Sequence, residues 1–110
     1  MTALRLYILQ RLTAALMVPM IVLHLVVIFY ATRHGLSAAD VLGRTRGSLW
    51  WALFYGVFVL AAAVHAAIGV RTVLIEWTPL QGRGPDLASI GVLVLLAALG
   101  FRAVATVVLP

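Results

Sequence analysis

The stretch His65-Ala66-Ala67-Ile68-Gly69-Val70-Arg71-Thr72-Val73-Leu74-Ile75-Glu76-Trp77 decides the fold. It closes an apolar run that begins near Leu49, sets an imidazole inside that run, and ends it with an arginine, a carboxylate and an indole. Such a run is long enough to cross a bilayer as a helix. A polar group in hydrocarbon is costly unless something satisfies it, so an intramembrane histidine is a functional-site candidate. Gly69 follows His65 by one helical turn on the same face, and with no side chain there a flat group such as a porphyrin can lie against the backbone. The pattern reads as a haem-ligating helix that ends at the level of a quinone. The plainer reading is a packing histidine bonded to a neighbouring hydroxyl or carbonyl, with Ala61, Ala62, Ala66 and Gly69 forming a close helix–helix seam.

Composition agrees with a membrane protein. Of 110 residues, 65% are hydrophobic and 10% charged, and the mean hydropathy is +1.15. Soluble domains are far less apolar. The chain has no cysteine, which excludes an iron–sulfur cluster, a thiolate zinc site and a disulfide from it. No glycine-rich dinucleotide or triphosphate loop is present. The net charge of +5 comes from arginine without any lysine, and most of the arginines flank apolar runs. They read as headgroup anchors and not as a nucleic-acid patch.

Three spans account for nearly the whole chain, one all-α membrane domain over residues 1–110 with no internal repeat. They are expected at about 12–30, 49–75 and 87–109. Arg11 and Arg33-His34-Gly35 bound the first, and Gly43-Arg44-Thr45-Arg46-Gly47 precedes the second. The cluster Pro79-Leu80-Gln81-Gly82-Arg83-Gly84-Pro85-Asp86 is the clearest break before the third. Ser37 to Leu42 can form a short interfacial turn. No small-residue cleavage site follows a short apolar core, so the first run is expected to be a retained span. Arg5, Arg11, Arg71 and Arg83 share one side, Arg33, Arg44 and Arg46 the other, and such balanced counts leave orientation open.

Other residues carry two readings each. His24 is a second intramembrane histidine, at a depth comparable to His65 if the first two helices are antiparallel, which permits a bis-histidine site within one chain. Pro19 is expected to kink the first helix, which neighbouring helices tolerate in a membrane. Met17 and Met20 read as packing residues. Trp50, Trp51 and Tyr55 read as an interfacial aromatic belt. Arg102 snorkels to the nearer interface or meets a haem propionate. His34 reads as a solvated loop residue.

Two stretches resemble a known family. The segment from His65-Ala66-Ala67-Ile68-Gly69 to Glu76-Trp77 is similar to the H-A-x-x-G…D-Y segment of the small cytochrome b membrane anchors of succinate dehydrogenase. Leu9-Gln10-Arg11-Leu12-Thr13-Ala14-Ala15 resembles the H/Q-R-x-[ST]-[AG] opening of the same anchors. Length, three-span layout and motif order agree, so the resemblance covers most of the chain. It implies a helical bundle shared with a second anchor chain or a second copy of this chain. It further implies a flavoprotein and an iron–sulfur subunit docked on the cytoplasmic or matrix face of a bacterial or mitochondrial inner membrane. Electrons from succinate then reach a quinone through the clusters, with haem b buried between the anchors and no catalysis by this chain alone.

Residue by residue, the resemblance implies His65 as axial haem ligand, and Arg11 and Trp77 as quinone-site residues with Glu76 beside them. It implies Arg71 near the haem propionates. Tyr7 stands where one class of anchor carries a quinone-contacting serine. Trp77 departs from the family's tyrosine: an indole N–H donates a hydrogen bond but relays no proton. His24 has no counterpart in the motif. If the helices are antiparallel, Arg11 begins one where Glu76 and Trp77 end the next, and the two ends form one polar mouth above the haem. Glu76 has a more ordinary role as partner of Arg71 or Arg11. Two rival readings stand beside this one: a haem-free anchor in which His65 only packs, and an unrelated small membrane accessory or assembly protein.

Overall fold

The structure is a computed structural model and describes residues 2–109. Its first helix, α1 (Ala3–His34), begins well before Leu12. Nothing in Leu4-Arg5-Leu6-Tyr7-Ile8 breaks a helix, and Thr2 caps the start by accepting from the Arg5 N–H at 3.3 Å. The helix continues through Pro19. It stops at Gly35, whose φ of 132° lies where only glycine is comfortable, and whose N–H returns to the Ala31 carbonyl.

The expected interfacial turn is a longer element, α2 (Ala38–Thr45). A reciprocal capping box starts it: the Asp40 N–H reaches Ser37 Oγ at 3.1 Å, and the Ser37 N–H reaches Asp40 Oδ2 at 3.3 Å. The Ser37 hydroxyl also donates to Asp40 Oδ2 at 2.6 Å, and this bond above all holds the Asp40 carboxyl below its ordinary 3.8. The next helix, α3 (Leu49–Trp77), starts from a Ser48 cap. The last, α4 (Gly84–Val108), starts three residues before the expected Leu87, with Pro85 and Asp86 in its first turn. Both residue types suit a helix N-terminus. Among the described residues these four helices are the whole secondary structure, and three of them are long and apolar enough to cross a membrane.

The central element is α3, which packs most extensively on α4 and then on α1. Its buried residues are Ala61, Ala63, Ala67 and Ile68, and the three alanines are small enough for neighbouring backbones to come close. Against α4, Gly100 faces the Val59 side chain in space that a Cβ would have to share, and Gly56 faces the Phe101 ring. Ser89 donates across the same interface to the Ala67 carbonyl at 2.8 Å. Against α1, Thr13 meets His65 while His24 meets Tyr55, so the two helices run antiparallel. No residue in the apolar window of α4 is buried within the chain. The longest dimension, 49 Å, matches a bilayer of about 40–45 Å with its headgroups.

At the end that carries α2, the chain ties itself together. Arg44 donates to the Gly35 carbonyl at 2.8 Å. Thr45 Oγ1 donates to the Val107 carbonyl at 2.6 Å, and the Gly47 N–H to the Val108 carbonyl at 2.6 Å. The last carbonyls of α4 therefore have partners where helix ends usually lack them. Trp51 stacks on Tyr55 with 5.5 Å between centroids, and Trp50 is exposed beside them. His34 is more than a solvated residue: its ring stacks on Tyr30 at 4.1 Å.

Candidate functional site

A groove of about 400 Å³ runs between α1 and α3, lined by Gln10, His65, Ala66, Gly69, Val70 and Val73 among others. Gly69, four residues on, shares the His65 face of α3, and Ala66 also lines the groove, so small residues flank the imidazole. His65 is anchored on one side only, with Nδ1 3.2 Å from Oγ1 of the buried Thr13. Gln10 forms the opposite wall: its Nε2 lies 3.6 Å from where a Gly69 Cβ would stand. Its Oε1 is buried without a hydrogen-bond partner. A histidine beside a glycine whose missing side chain leaves the helix backbone open fits a flat, metal-bearing group, and haem belongs to that class.

The helix register corrects the expected mouth. Gln10 lies against Gly69, and Trp77 is eight residues further along α3, about 12 Å at ~1.5 Å per residue. Because α1 starts at Ala3 and not near Leu12, Arg11 belongs to its third turn and sits well below the level of Trp77. Arg11, Tyr7 and Trp77, the residues expected at a quinone site, are therefore staggered along the bundle. Trp77 is uppermost and 82% exposed. Tyr7 comes next, and the Arg11 guanidinium lies 5.8 Å from its ring centroid. Among the described residues, no hydrogen bond or ion pair joins Arg11, Glu76 and Trp77.

The family of succinate dehydrogenase/fumarate reductase transmembrane subunits matches residues 2–108. The chain belongs to this family. No curated protein and no solved structure matches it. It is thus a membrane subunit of succinate dehydrogenase or fumarate reductase complexes, working with the other subunits of such a complex. The rival of an unrelated accessory protein is set aside.

Two features of this transmembrane subunit depart from expectation. Among the described residues Glu76 pairs with neither Arg71 nor Arg11, and Arg71 instead donates from Nε to Asp86 Oδ1 at 2.7 Å, which ties α3 to the start of α4. That pair uses one of the five N–H donors of the guanidinium. His24 is not level with His65. Thr13 is the α1 residue that meets His65, and His24 lies eleven residues beyond it, about 16 Å along the helix. Two such histidines do not reach one iron. His24 instead sits 3.5 Å from the Tyr55 hydroxyl, edge-on to the Tyr55 and Phe58 rings.

Three residues now at the site had no role in the sequence reading: Gln10, Thr13 and Asp86. Gln10 and Thr13 are in the quoted α1 motif, and their three-residue spacing puts both on one face of the helix. That spacing was the signal that could have paired them with the His65 face. Asp86 gave no signal, because the length of the loop it follows does not fix its approach to Arg71.

Proposed function

We propose that this transmembrane subunit binds haem b through His65 and forms part of the site where quinone receives electrons from the iron–sulfur subunit. The observation that carries the reading is the position of His65 in the α1–α3 groove, above a bottom that Gly69 and Ala66 leave open. When bound, haem b supplies one-electron transfer, as low-spin bis-histidine haems do. With His24 about 16 Å away along α1, His65 would be the one histidine of this chain to hold the haem, and a second ligand would come from another polypeptide, a different anchor or a second copy of this chain. Arg11 brings fixed positive charge into low dielectric, where it acts strongly on a propionate or on a reduced quinone. Trp77 donates one hydrogen bond to a quinone oxygen and holds the ring, while Glu76 is the carboxylate beside it that holds a proton. Tyr7, under the Arg11 guanidinium, orients that side chain. The partners of this reading are the flavoprotein and the iron–sulfur subunit, and the membrane is a bacterial or mitochondrial inner membrane.

The test is the reduced-minus-oxidised spectrum of the assembled complex. His65→Ala removes the b-type signal, and Gly69→Leu weakens it by filling the groove. An unchanged spectrum in the His65 variant defeats the reading. The Thr13 contact also satisfies His65 without any ligand, and that observation favours a second reading, a haem-free anchor. A wild-type complex with no b-type spectrum selects it.

A further inference from the structure

We infer that Thr13 is a positioning residue that fixes the tautomer of His65 and so presents its Nε2 lone pair to the metal. The inference rests on the haem reading above. Its argument is a proton count at one hydroxyl. Thr13 Oγ1 has a single hydrogen and three polar neighbours: the Leu9 carbonyl at 2.9 Å, the Gln10 carbonyl at 3.0 Å and His65 Nδ1 at 3.2 Å. Carbonyl oxygens only accept. Were the hydroxyl to donate to Nδ1, its lone pairs would face two carbonyl oxygens at close range in a buried setting, where unpaired acceptors repel most strongly. The proton therefore goes to a carbonyl of its own helix, the usual back-bond of a helical threonine. Oγ1 is left as an acceptor toward His65, and Nδ1 must carry the hydrogen that fills it. A neutral imidazole has one N–H, so Nε2 keeps its lone pair. Among the described residues Nε2 has no hydrogen-bond partner.

Thr13 is 7% exposed, so water does not replace it as acceptor. Its bond to Nδ1–H does two things for a bound metal. It fixes the orientation of the ring, and it pulls the N–H toward oxygen, which makes Nε2 a more basic ligand. A more basic axial ligand favours the ferric over the ferrous state. Loss of such an outer partner lowers metal affinity by about 10- to 100-fold. A tenfold loss confined to the ferric form is a rise of about 59 mV in midpoint potential for a one-electron couple.

The experiment compares Thr13→Val, which keeps the β-branched shape and removes the hydroxyl, with Thr13→Ser, which keeps the hydroxyl. Both are read in the assembled complex by redox titration of the haem and by the low-spin ferric resonance. The expected result is an upward shift of potential with an altered resonance in Thr13→Val, and wild-type values in Thr13→Ser. Loss of haem in Thr13→Val with dye-linked succinate oxidation intact, and retention in Thr13→Ser, supports the inference equally. Thr13→Ala serves the same purpose where the valine variant does not assemble. Unchanged potential and resonance in a haem-bearing Thr13→Val complex overturns the role of Thr13 and leaves the haem reading standing. Retention of the full haem signal in His65→Ala overturns both.

Discussion

Asp86→Asn asks which partner Arg71 serves. The pair is short, 2.7 Å from Nε to Oδ1, but its side chains are 31% and 54% exposed. Solvent screens it, so its worth is that of a surface pair, about 0.2–1 kcal/mol. Asp86 also stands in the first turn of α4, where a carboxylate gains about 0.3–1 kcal/mol from the helix dipole. Asp86→Asn loses both contributions, about 0.5–2 kcal/mol, whereas Arg71→Gln loses only the first. The double variant isolates the pair as a coupling energy under about 1 kcal/mol. Unfolding of the subunit in mixed micelles, followed by circular dichroism, reads these differences. Repeating it between ~0.01 M and ~1 M salt shrinks the Debye length from about 30 Å to about 3 Å and should erase most of the coupling. The haem spectrum of the corresponding complexes should be the same for both single variants. If Arg71→Gln alone shifts the haem potential, and the two residues show no coupling, Arg71 serves a propionate and the clamp is incidental.

Three further outcomes are expected. Arg11→Ala and Trp77→Leu each lower succinate–quinone turnover about tenfold to a hundredfold, the effect of roughly 1–3 kcal/mol from one lost buried hydrogen bond. Dye-linked succinate oxidation is spared in both, since the dye takes electrons upstream; full quinone turnover in an intact complex would move the pocket elsewhere. Gly100→Ala pushes a methyl into Val59 and destabilises the α3–α4 interface by about 1–3 kcal/mol, less ~1 kcal/mol of gained helix propensity. Adding Val59→Ala should restore thermal stability, and strict additivity of the two changes would contradict the contact. Ser37→Ala removes the bond that holds Asp40 down, so the Asp40 carboxyl should rise toward 3.8 in an NMR titration. A depressed carboxyl contributes stability above its unfolded value, lost as pH falls through the lower folded one. The part of the wild-type advantage over Ser37→Ala that comes from the Asp40 carboxylate should therefore fade only below about pH 3.8, while the part from the Asp40 N–H cap bond stays.

The three long helices were legible because their apolar runs and the Pro/Gly break at Pro79–Asp86 are strong, local signals. The same holds for His65 with Gly69, whose separation of one turn survives any error in helix ends. What sequence could not supply was register. The start of α1 depended on Thr2 and on the absence of a breaker, while Arg11 drew attention to itself as a boundary. Moving that boundary carried Arg11 inward and separated it from Trp77. His24 failed for the same reason, since a shared depth needs the offset between two helices and no residue spells that out. The Arg71–Asp86 pair and the unpaired Gln10 oxygen belong to a third kind of fact, visible only when neighbouring elements are placed together.

The bonds from Thr45 and Gly47 to the carbonyls of Val107 and Val108 make one end of the bundle unlike the other. There, α2 closes over the ends of the long helices like the rivet of a pair of tongs. At the far end the first two turns of α1 carry the exposed Leu4, Tyr7 and Ile8 and no side-chain bond to α3. At the α2 end Arg44 also ties down the end of α1 through the Gly35 carbonyl, and among the described residues no such bond holds α1 beside Tyr7. From the Tyr7 end inward, the order along the bundle is Trp77, then Tyr7 and Arg11, then His65.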